Sequence, residues 1–267
     1  MEKKFKLTEE ETMVGGLTLY RIEALRDFSD VKRGDKGGWI QKESNLSQAD
    51  NCWIYDEAMA FEDARVIDNA KIKDSARVFD DAIISDDAYI GGDVRICKNA
   101  MIADNAKVYD NVWILGSAYV HGNAKIYGNV KILDTPFIGG DAQIYENAQI
   151  EGNAHIYDNA KIYGNSKIRG HCRICKDACV GGHAEVLGLS ELTRGEITST
   201  PLQIKGSLYF VNIEGDDKLR IGCQVYSIEE WEKHYRQIGL AERFSEKEIT
   251  EYKLYIDLAK NILNNNK

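Results

Sequence analysis

Apolar residues recur with a period of six along the middle half of this chain. From Cys52 onward every sixth residue is small, and Ala fills 16 of 23 such positions. The residue two places later is Ile or Val in 22 of the 23 phrases. The phrase Ala124-Lys-Ile-Tyr-Gly-Asn129 shows the pattern, which runs without insertion or deletion through Val186. Regularity on this scale predicts a repeat architecture.

Each phrase predicts a short strand followed by a turn. The small and aliphatic residues point to one side, while the residue between them and the one after point to the other. Gly, Asp and Asn end the phrase, because they tolerate the backbone angles of a sharp bend. A strand of this length cannot bury its apolar side alone, so the phrases must stack into a solenoid.

The outward residues sort with a period of 18, which predicts three faces. The first face is a tyrosine–lysine surface comprising Tyr109, Lys125, Tyr127, Tyr145, Lys161 and Tyr163. The second face is basic around one tryptophan and carries Arg77, Arg95, Trp113, Lys131 and Lys167. The third face is mostly apolar and carries Ile83, Met101, Tyr119, Phe137 and His155.

This phrase resembles the hexapeptide repeat of left-handed parallel β-helices. The resemblance implies three phrases per triangular coil and a left-handed sense, so 23 phrases predict seven to eight coils. The predicted fold class is therefore mainly β, with the left-handed β-helix over residues 52–189. Residues 1–51 are predicted to form a β cap, and residues 190–267 a second cap of β strands and two helices.

The flanking segments supply the predicted caps. Two strands are expected about Gly15-Gly16, and residues 34–40 are expected to form a glycine-rich turn closed by Trp39. Behind the repeat, the β segments Leu202–Ile213 and Leu219–Tyr226 are predicted on either side of a turn at Glu214-Gly-Asp-Asp217. Capping-box signatures beginning at Ser227 and Ser245 open two helices, which should cover the other end or one side of the solenoid.

A more specific resemblance lies in the flanking segments. Leu19-Tyr-Arg-Ile-Glu-Ala-Leu-Arg-Asp-Phe28, Gly34-Asp-Lys-Gly-Gly-Trp39 and Asn51-Cys-Trp53 are similar to the opening segment of YdcK-like hexapeptide-repeat proteins. The segment from Ile221 to Trp231 resembles the closing segment of phage members. The resemblance implies a phage or prophage source and a fold, but not a reaction.

Composition narrows the functional classes. A net charge of −9 disfavours direct nucleic-acid binding. No apolar run approaches membrane-spanning length, and the first residues lack the apolar part of a secretion signal. Six scattered cysteines fit the reducing cytoplasm of a bacterial host cell.

The spacing Cys172-x-x-Cys175 suggests zinc, but strand alternation places these side chains on opposite sides, so no metal site is predicted.

The leading hypothesis is a non-enzymatic binding protein that needs no cofactor. Aromatic rings flanked by lysines on the first face could hold a small anionic, nucleotide-like ligand or a partner protein. The third face is more apolar than a monomer normally exposes. It predicts a homotrimer, unless the C-terminal helices of the same chain cover it. A groove between subunits is a second place for the ligand.

Two alternatives remain open. Familiar hexapeptide-repeat proteins are acyltransferases that use acyl-CoA, with a histidine as general base. That resemblance makes the outward-facing His121 and His155 candidates, although the repeat lacks the inserted loop typical of the enzymes. A further column of carboxylates, 18 residues apart, is either a solvated corner or an acidic ladder that mimics nucleic acid. It comprises Asp50, Asp68, Asp86 and Asp104.

Overall fold

The fold is mainly β and is built around a left-handed parallel β-helix of about nine turns. The computed structural model describes residues 3–200, 202–214 and 217–265. Residues 215 and 216 of the predicted turn Glu214–Asp217 lie outside these ranges. Three sheets form the three faces of the solenoid, and a fourth sheet follows it. No helix among the described residues has the length and apolar character needed to cross a membrane.

The three faces are the three predicted ones. The first face is the sheet β4 (Trp53–Ile54), β7 (Lys71–Ile72), β10 (Tyr89–Ile90), β13 (Lys107–Val108), β16 (Lys125–Ile126), β19 (Gln143–Ile144), β22 (Lys161–Ile162), β25 (Cys179–Val180) and β28 (Glu196–Ile197). The second face begins with β1 (Phe5–Val14), β2 (Leu17–Ala24) and β3 (Lys36–Ile40). It continues as β5 (Met59–Ala60), β8 (Arg77–Val78), β11 (Arg95–Lys98), β14 (Trp113–Gly116), β17 (Lys131–Asp134), β20 (Gln149–Gly152), β23 (Lys167–Gly170) and β26 (Glu185–Val186). The third face is β6 (Arg65–Val66), β9 (Ile83–Ile84), β12 (Met101–Ile102), β15 (Tyr119–Val120), β18 (Phe137–Ile138), β21 (His155–Ile156), β24 (Arg173–Ile174) and β27 (Glu191–Leu192).

Within the regular phrases, neighbouring strands of a face pair in parallel with a register of 18 residues. Lys107 lies beside Lys125 on the first face, and Tyr119 lies beside Phe137 on the third. The small and aliphatic residues point inward, and Ala124 and Ile126 are fully buried like their counterparts in the other phrases. The inward alternation and the period of 18 are thus confirmed.

A left-handed turn ends each phrase. Every sixth residue from Asp50 to Gly188 has a positive φ angle, and Asp or Gly fills most of these positions. Asp tolerates this conformation better than most residues with a side chain. Its carboxylate also accepts a hydrogen bond from the next coil, as Asp110 does from the amide of Gly128 at 3.0 Å. The corners therefore hold consecutive coils together.

The predicted count of seven to eight coils was too low. Strands outside the regular phrase extend the solenoid at both ends, because β3 pairs in parallel with β5, and β27 and β28 continue two faces. Part of the segment 34–40, which was expected to form a glycine-rich turn, forms the strand β3. Glycine is required there, since a Cβ at Gly38 would lie 2.3 Å from the carbonyl oxygen of Ala58.

The N-terminal end is closed by the predicted hairpin and by a buried lysine. β1 and β2 pair in antiparallel fashion about Gly15-Gly16. The Lys4 ammonium is fully buried and donates to the carbonyl oxygens of Ala49 and Cys52, each at 2.9 Å. Burial lowers the pKa of Lys4. A short 3₁₀ helix, Glu43–Asn45, leads into the first complete coil.

The C-terminal residues form a separate small core. An antiparallel sheet is followed by two helices, and the elements are β29 (Gln203–Lys205), β30 (Phe210–Glu214), β31 (Lys218–Ile221), β32 (Gln224–Ser227), α1 (Ile228–Ala241) and α2 (Glu246–Asn265). Ser227 caps α1 through the predicted capping box. The helices pack against this sheet around the buried Trp231 and Ile256. Gln203 joins the sheet to the last coils by a hydrogen bond to the carbonyl oxygen of Glu185 at 2.8 Å.

Candidate functional site

The third face carries a half-exposed aromatic surface. Its five predicted interface residues form one outward column across β9, β12, β15, β18 and β21. Met101 keeps 38% of its area exposed. The Phe137 ring contacts Tyr119 at 5.5 Å and His155 at 5.6 Å between centroids. This face therefore offers an apolar surface on which histidines are placed.

His121 lies in the middle of this surface, directly after β15. Its imidazole stacks on Tyr119 at 4.8 Å and meets the edge of Phe137 at 4.6 Å. The Nδ1 atom is 3.6 Å from Oδ2 of Asp104, and the side chain is 24% exposed. That separation is longer than a hydrogen bond, and the two groups attract each other as ions only when the imidazole is protonated. His121 and Asp104 are therefore close neighbours on an aromatic face.

The other imidazole nitrogen is covered by a glycine of the next coil. Nε2 of His121 is buried and has no hydrogen-bond partner among the described residues. A Cβ added at Gly139 would lie 2.2 Å from this atom, closer than real contacts allow. The ring occupies this position because residue 139 lacks a side chain.

His155 has a different environment from His121. It lies in β21, is exposed, and contacts the Phe137 ring. The next strand places Arg173 beside it. The Arg173 guanidinium donates to the Tyr157 hydroxyl and lies 5.3 Å from the centre of the Tyr157 ring. Arg173 thus supplies one cation near this end of the third face, where it also lies 3.8 Å from a carboxylate oxygen of Glu191.

The tyrosines of the first face form a continuous stack. Successive ring centroids from Tyr109 through Tyr127 and Tyr145 to Tyr163 are 5.1, 5.2 and 5.4 Å apart, with interplanar angles of 10° or less. Because the rings cover one another, mainly their edges are available to a ligand. Burial raises the pKa values of the first three phenols. A hydrogen bond to Glu196 raises the pKa of Tyr163 to about 12.

The lysines beside the stack have no ion-pair partner. Lys125 and Lys161 are exposed and make no salt bridge within the described part of the chain. The first face can therefore attract an anion through its lysines. The ring stack itself has a structural role.

Replacing Tyr127 with Ala should lower the free energy of unfolding by about 1–3 kcal/mol, because two stacked contacts are lost. Tyr127→Phe keeps both rings in contact and should leave stability nearly unchanged. Thermal and denaturant unfolding followed by circular dichroism measures both variants. Equal stability of Tyr127→Ala and the unchanged chain would show that the stack contributes nothing to the fold.

The carboxylate column also has a structural role. Asp50, Asp68, Asp86 and Asp104 all have positive φ angles at one corner. The last three carboxylates accept the amide of the residue one coil later, at 3.2, 3.2 and 2.9 Å. Carboxylates at the other two corners make the same bond, as Asp80 does with Lys98 at 3.0 Å. The acidic column is explained by coil-to-coil bonding without a binding partner.

Sequence reasoning identified His121 and Asp104 separately but missed their pairing. They are 17 residues apart, one less than a full coil, and that spacing is the signal that could have joined them. It also missed Gly139. The signal for this residue is a glycine at the outward position one coil after His121. The structure does not bring His155 to the same pair.

Comparisons with known proteins give one close but partial relative. No family model matches the sequence. A stretch of 71 residues is 41% identical to the uncharacterized acetyltransferase YdcK of Escherichia coli (strain K12) and covers 23% of this chain and 22% of YdcK. The chain is thus similar to YdcK in part. Neither this similarity nor the structural one below bears on a phage or prophage source.

Among solved structures, UDP-N-acetylglucosamine acyltransferase from Campylobacter jejuni aligns over 72% of this chain and 80% of its own. The sequence identity is 17% and the TM-score is 0.36. At this TM-score the alignment does not support transferring any site residue of that enzyme to this chain. The functional hypothesis therefore depends on the partial similarity to YdcK and on the geometry of the third face.

Proposed function

We propose that this protein is an acyltransferase that uses an acyl-CoA donor, with His121 as the general base. The observation that carries the proposal is the pairing of His121 with Asp104 on a half-exposed aromatic face. The partial similarity to the acetyltransferase YdcK supports it. Together these observations favour acyl transfer over the non-enzymatic binding protein that the sequence first suggested.

The imidazole would activate the acceptor. His121 removes a proton from an acceptor hydroxyl or amine as that atom attacks the thioester carbonyl carbon. The carbon–sulfur bond then breaks, and the imidazolium returns the proton to the CoA thiolate. Asp104 stabilises the imidazolium between these steps. Since Nε2 lies buried against Gly139, the imidazole would have to rotate out of this position to reach the acceptor.

The third face has groups suited to both ends of the donor. Arg173 and His155 lie on the coils beyond His121 and would hold the phosphates of the acyl-CoA donor. Arg173 lies three strand spacings from the strand of His121, about 14 Å. On the opposite side of His121, Ile83 and Met101 would contact the acyl chain.

We also propose a homotrimer in which a second copy lies against the third face. The half-exposed Met101 and Phe137 support it, since an apolar surface spread over several coils is normally covered. A neighbouring copy would turn the open face into a groove that excludes water from His121. Native mass spectrometry tests this, and a monomeric chain would contradict the shared groove.

The activity is tested by release of the CoA thiol from acetyl-CoA, with a panel of amine and hydroxyl acceptors. The unchanged protein should release thiol in proportion to the acceptor supplied. His155→Ala should keep the rate of turnover within several-fold and mainly raise KM for the donor, because His155 would contact phosphate. No acceptor-dependent release with any member of the panel would overturn the proposal.

A further inference from the structure

The second face carries a row of cations that form no salt bridge with any residue the structure describes. Parallel pairing places Arg77 directly beside Arg95, and Trp113 between Arg95 and Lys131. Lys167 continues the row two strands later. Within the described ranges none of these four cations forms a salt bridge, although the chain has 43 acidic and 34 basic residues. Like charges on adjacent strands repel, so an anion along this row would stabilise it.

The indole in this row is covered by its own neighbours. Trp113 is 37% exposed, and the Arg95 guanidinium lies 4.8 Å from the ring centre. The Lys131 ammonium lies 5.6 Å from the same ring. The ring therefore holds two cations in place through cation–π contacts. Its faces are occupied, which disfavours stacking of nucleic-acid bases.

A second row, of apolar residues, follows the cations along the same face. Phe79, Leu115 and Leu133 are half-buried at positions two residues after the cationic row. Phe79 stacks on Phe61 at 5.1 Å, which fixes one end of the row. Residues two apart in a strand are separated by about 7 Å. From Arg77 to Lys131 the face thus presents a cationic row and an apolar row side by side along the solenoid axis. In the next two coils the positions of the apolar row hold Glu151 and Arg169, which pair at 3.0 Å.

Exposed carboxylates at the corners beside the second face limit how wide an anionic partner can be. Asp63 and Asp81 lie exposed at the turns after β5 and β8, and Glu57 and Asp74 lie exposed at the turns before these strands. Asp63 and Glu57 already pair with Lys42 and Arg21. A broad polyanion such as duplex nucleic acid or a membrane surface would meet these carboxylates as well as the cations. A narrow partner would meet the cations alone.

We propose that the second face binds an acidic amphipathic α-helix of a partner protein, aligned with the solenoid axis. One stripe of the helix would present carboxylates to Arg95 and Lys131, and the adjacent stripe would pack leucine-like side chains on Leu115 and Leu133. From Arg77 to Lys167 the row spans five strand spacings, about 24 Å. About 16 helical residues have that length. This surface is separate from the third face, so the proposal does not depend on acyl transfer.

The test uses a synthetic helix of about 16 residues, the length derived above. It carries Glu along one stripe and Leu along the neighbouring stripe, and a control peptide has the same composition in permuted order. Trp113 reports binding by its fluorescence, because the other three tryptophans are at most 8% exposed. The amphipathic peptide should change this emission saturably at low salt. The permuted peptide should not.

Charge reversals locate the surface. Arg95→Glu combined with Lys131→Glu should weaken binding of the peptide by about tenfold or more. The matched control reverses Lys107 and Lys125, which are also exposed but lie on the first face. It should leave affinity within about twofold, because net charge changes equally in both double variants. Circular dichroism verifies that both remain folded.

Three results would overturn the proposal. Equal binding of the permuted peptide would show that charge alone drives association. An equal loss of affinity in the first-face control would place the peptide elsewhere. Tighter binding of a single-stranded oligonucleotide than of the peptide would assign the cationic row to nucleic acid.

Discussion

Replacing His121 with Ala should lower kcat/KM for acyl transfer by about 10²- to 10⁴-fold, the range for loss of a general base. The expected loss lies in kcat, since the imidazole acts on the proton that moves during attack and not on the resting donor. Thiol release from acetyl-CoA under saturating acceptor measures it. Retention of full activity would remove His121 from the mechanism.

Asp104→Asn separates the charge of this residue from its role in the fold. An Asn side chain can still accept the amide of Gly122, which Asp104 accepts at 2.9 Å. Asn also tolerates the positive φ angle at this position. The variant should therefore keep its melting temperature while losing kcat. If stability and activity fell together, the role of Asp104 would be limited to the hydrogen bond between coils at this corner.

Two glycine variants test the placement of the imidazole. Gly139→Ala would put a Cβ 2.2 Å from Nε2 of His121 and displace the ring. Gly181→Ala is the matched control, because its Cβ would lie 2.2 Å from the Tyr163 ring on the first face. Both variants introduce the same kind of clash, but only the first touches His121. Because His121 would have to leave this position to act, activity should change in the first variant and stay unchanged in the second.

The solenoid could be predicted because its sequence repeats the physical requirement of every coil. Residues such as Ala124 and Ile126 are inward in each phrase, and a period of 18 sorts the outward residues into faces. The period of 18 does not extend to β3, which contains Gly37 and Gly38 and pairs with β5 at a register of 20 residues. The role of these two glycines depends on carbonyl groups of the next coil, which only the folded chain brings close.

The candidate site was harder to predict than the fold. The outward direction of His121 follows from strand alternation, whereas its position relative to Asp104 depends on side-chain conformation across a corner. The tyrosine stack shows the opposite case. The column of tyrosines could be predicted from the sequence. The face-to-face contact of Tyr127 with Tyr145, which leaves mainly the ring edges exposed, could not.

Deleting Asn147 alone should lower the free energy of unfolding by about 5 kcal/mol or more, among the largest effects of a single-site change. The turn before Ala148 would lack one of its residues, so the preceding strand must shift by one position to reach the next. Such a shift places Gln143 inward and Ile144 outward, because side chains alternate with a period of two. Thermal unfolding followed by circular dichroism, together with limited proteolysis, measures the loss.

Two longer deletions are the controls, and they separate the requirements of the core from those of the faces. Removing the phrase 142–147 keeps every inward residue inward but moves all later residues to another face. Tyr127 loses its stacking partner Tyr145, which is deleted, and no tyrosine takes its place. Removing the coil 142–159 keeps both the core and the faces, and it should lower stability by about one coil-to-coil interface. The expected order of stability is therefore the coil deletion, then the phrase deletion, then the single-residue deletion. If the shortest deletion were the best tolerated, inward alternation would not be what holds the solenoid together.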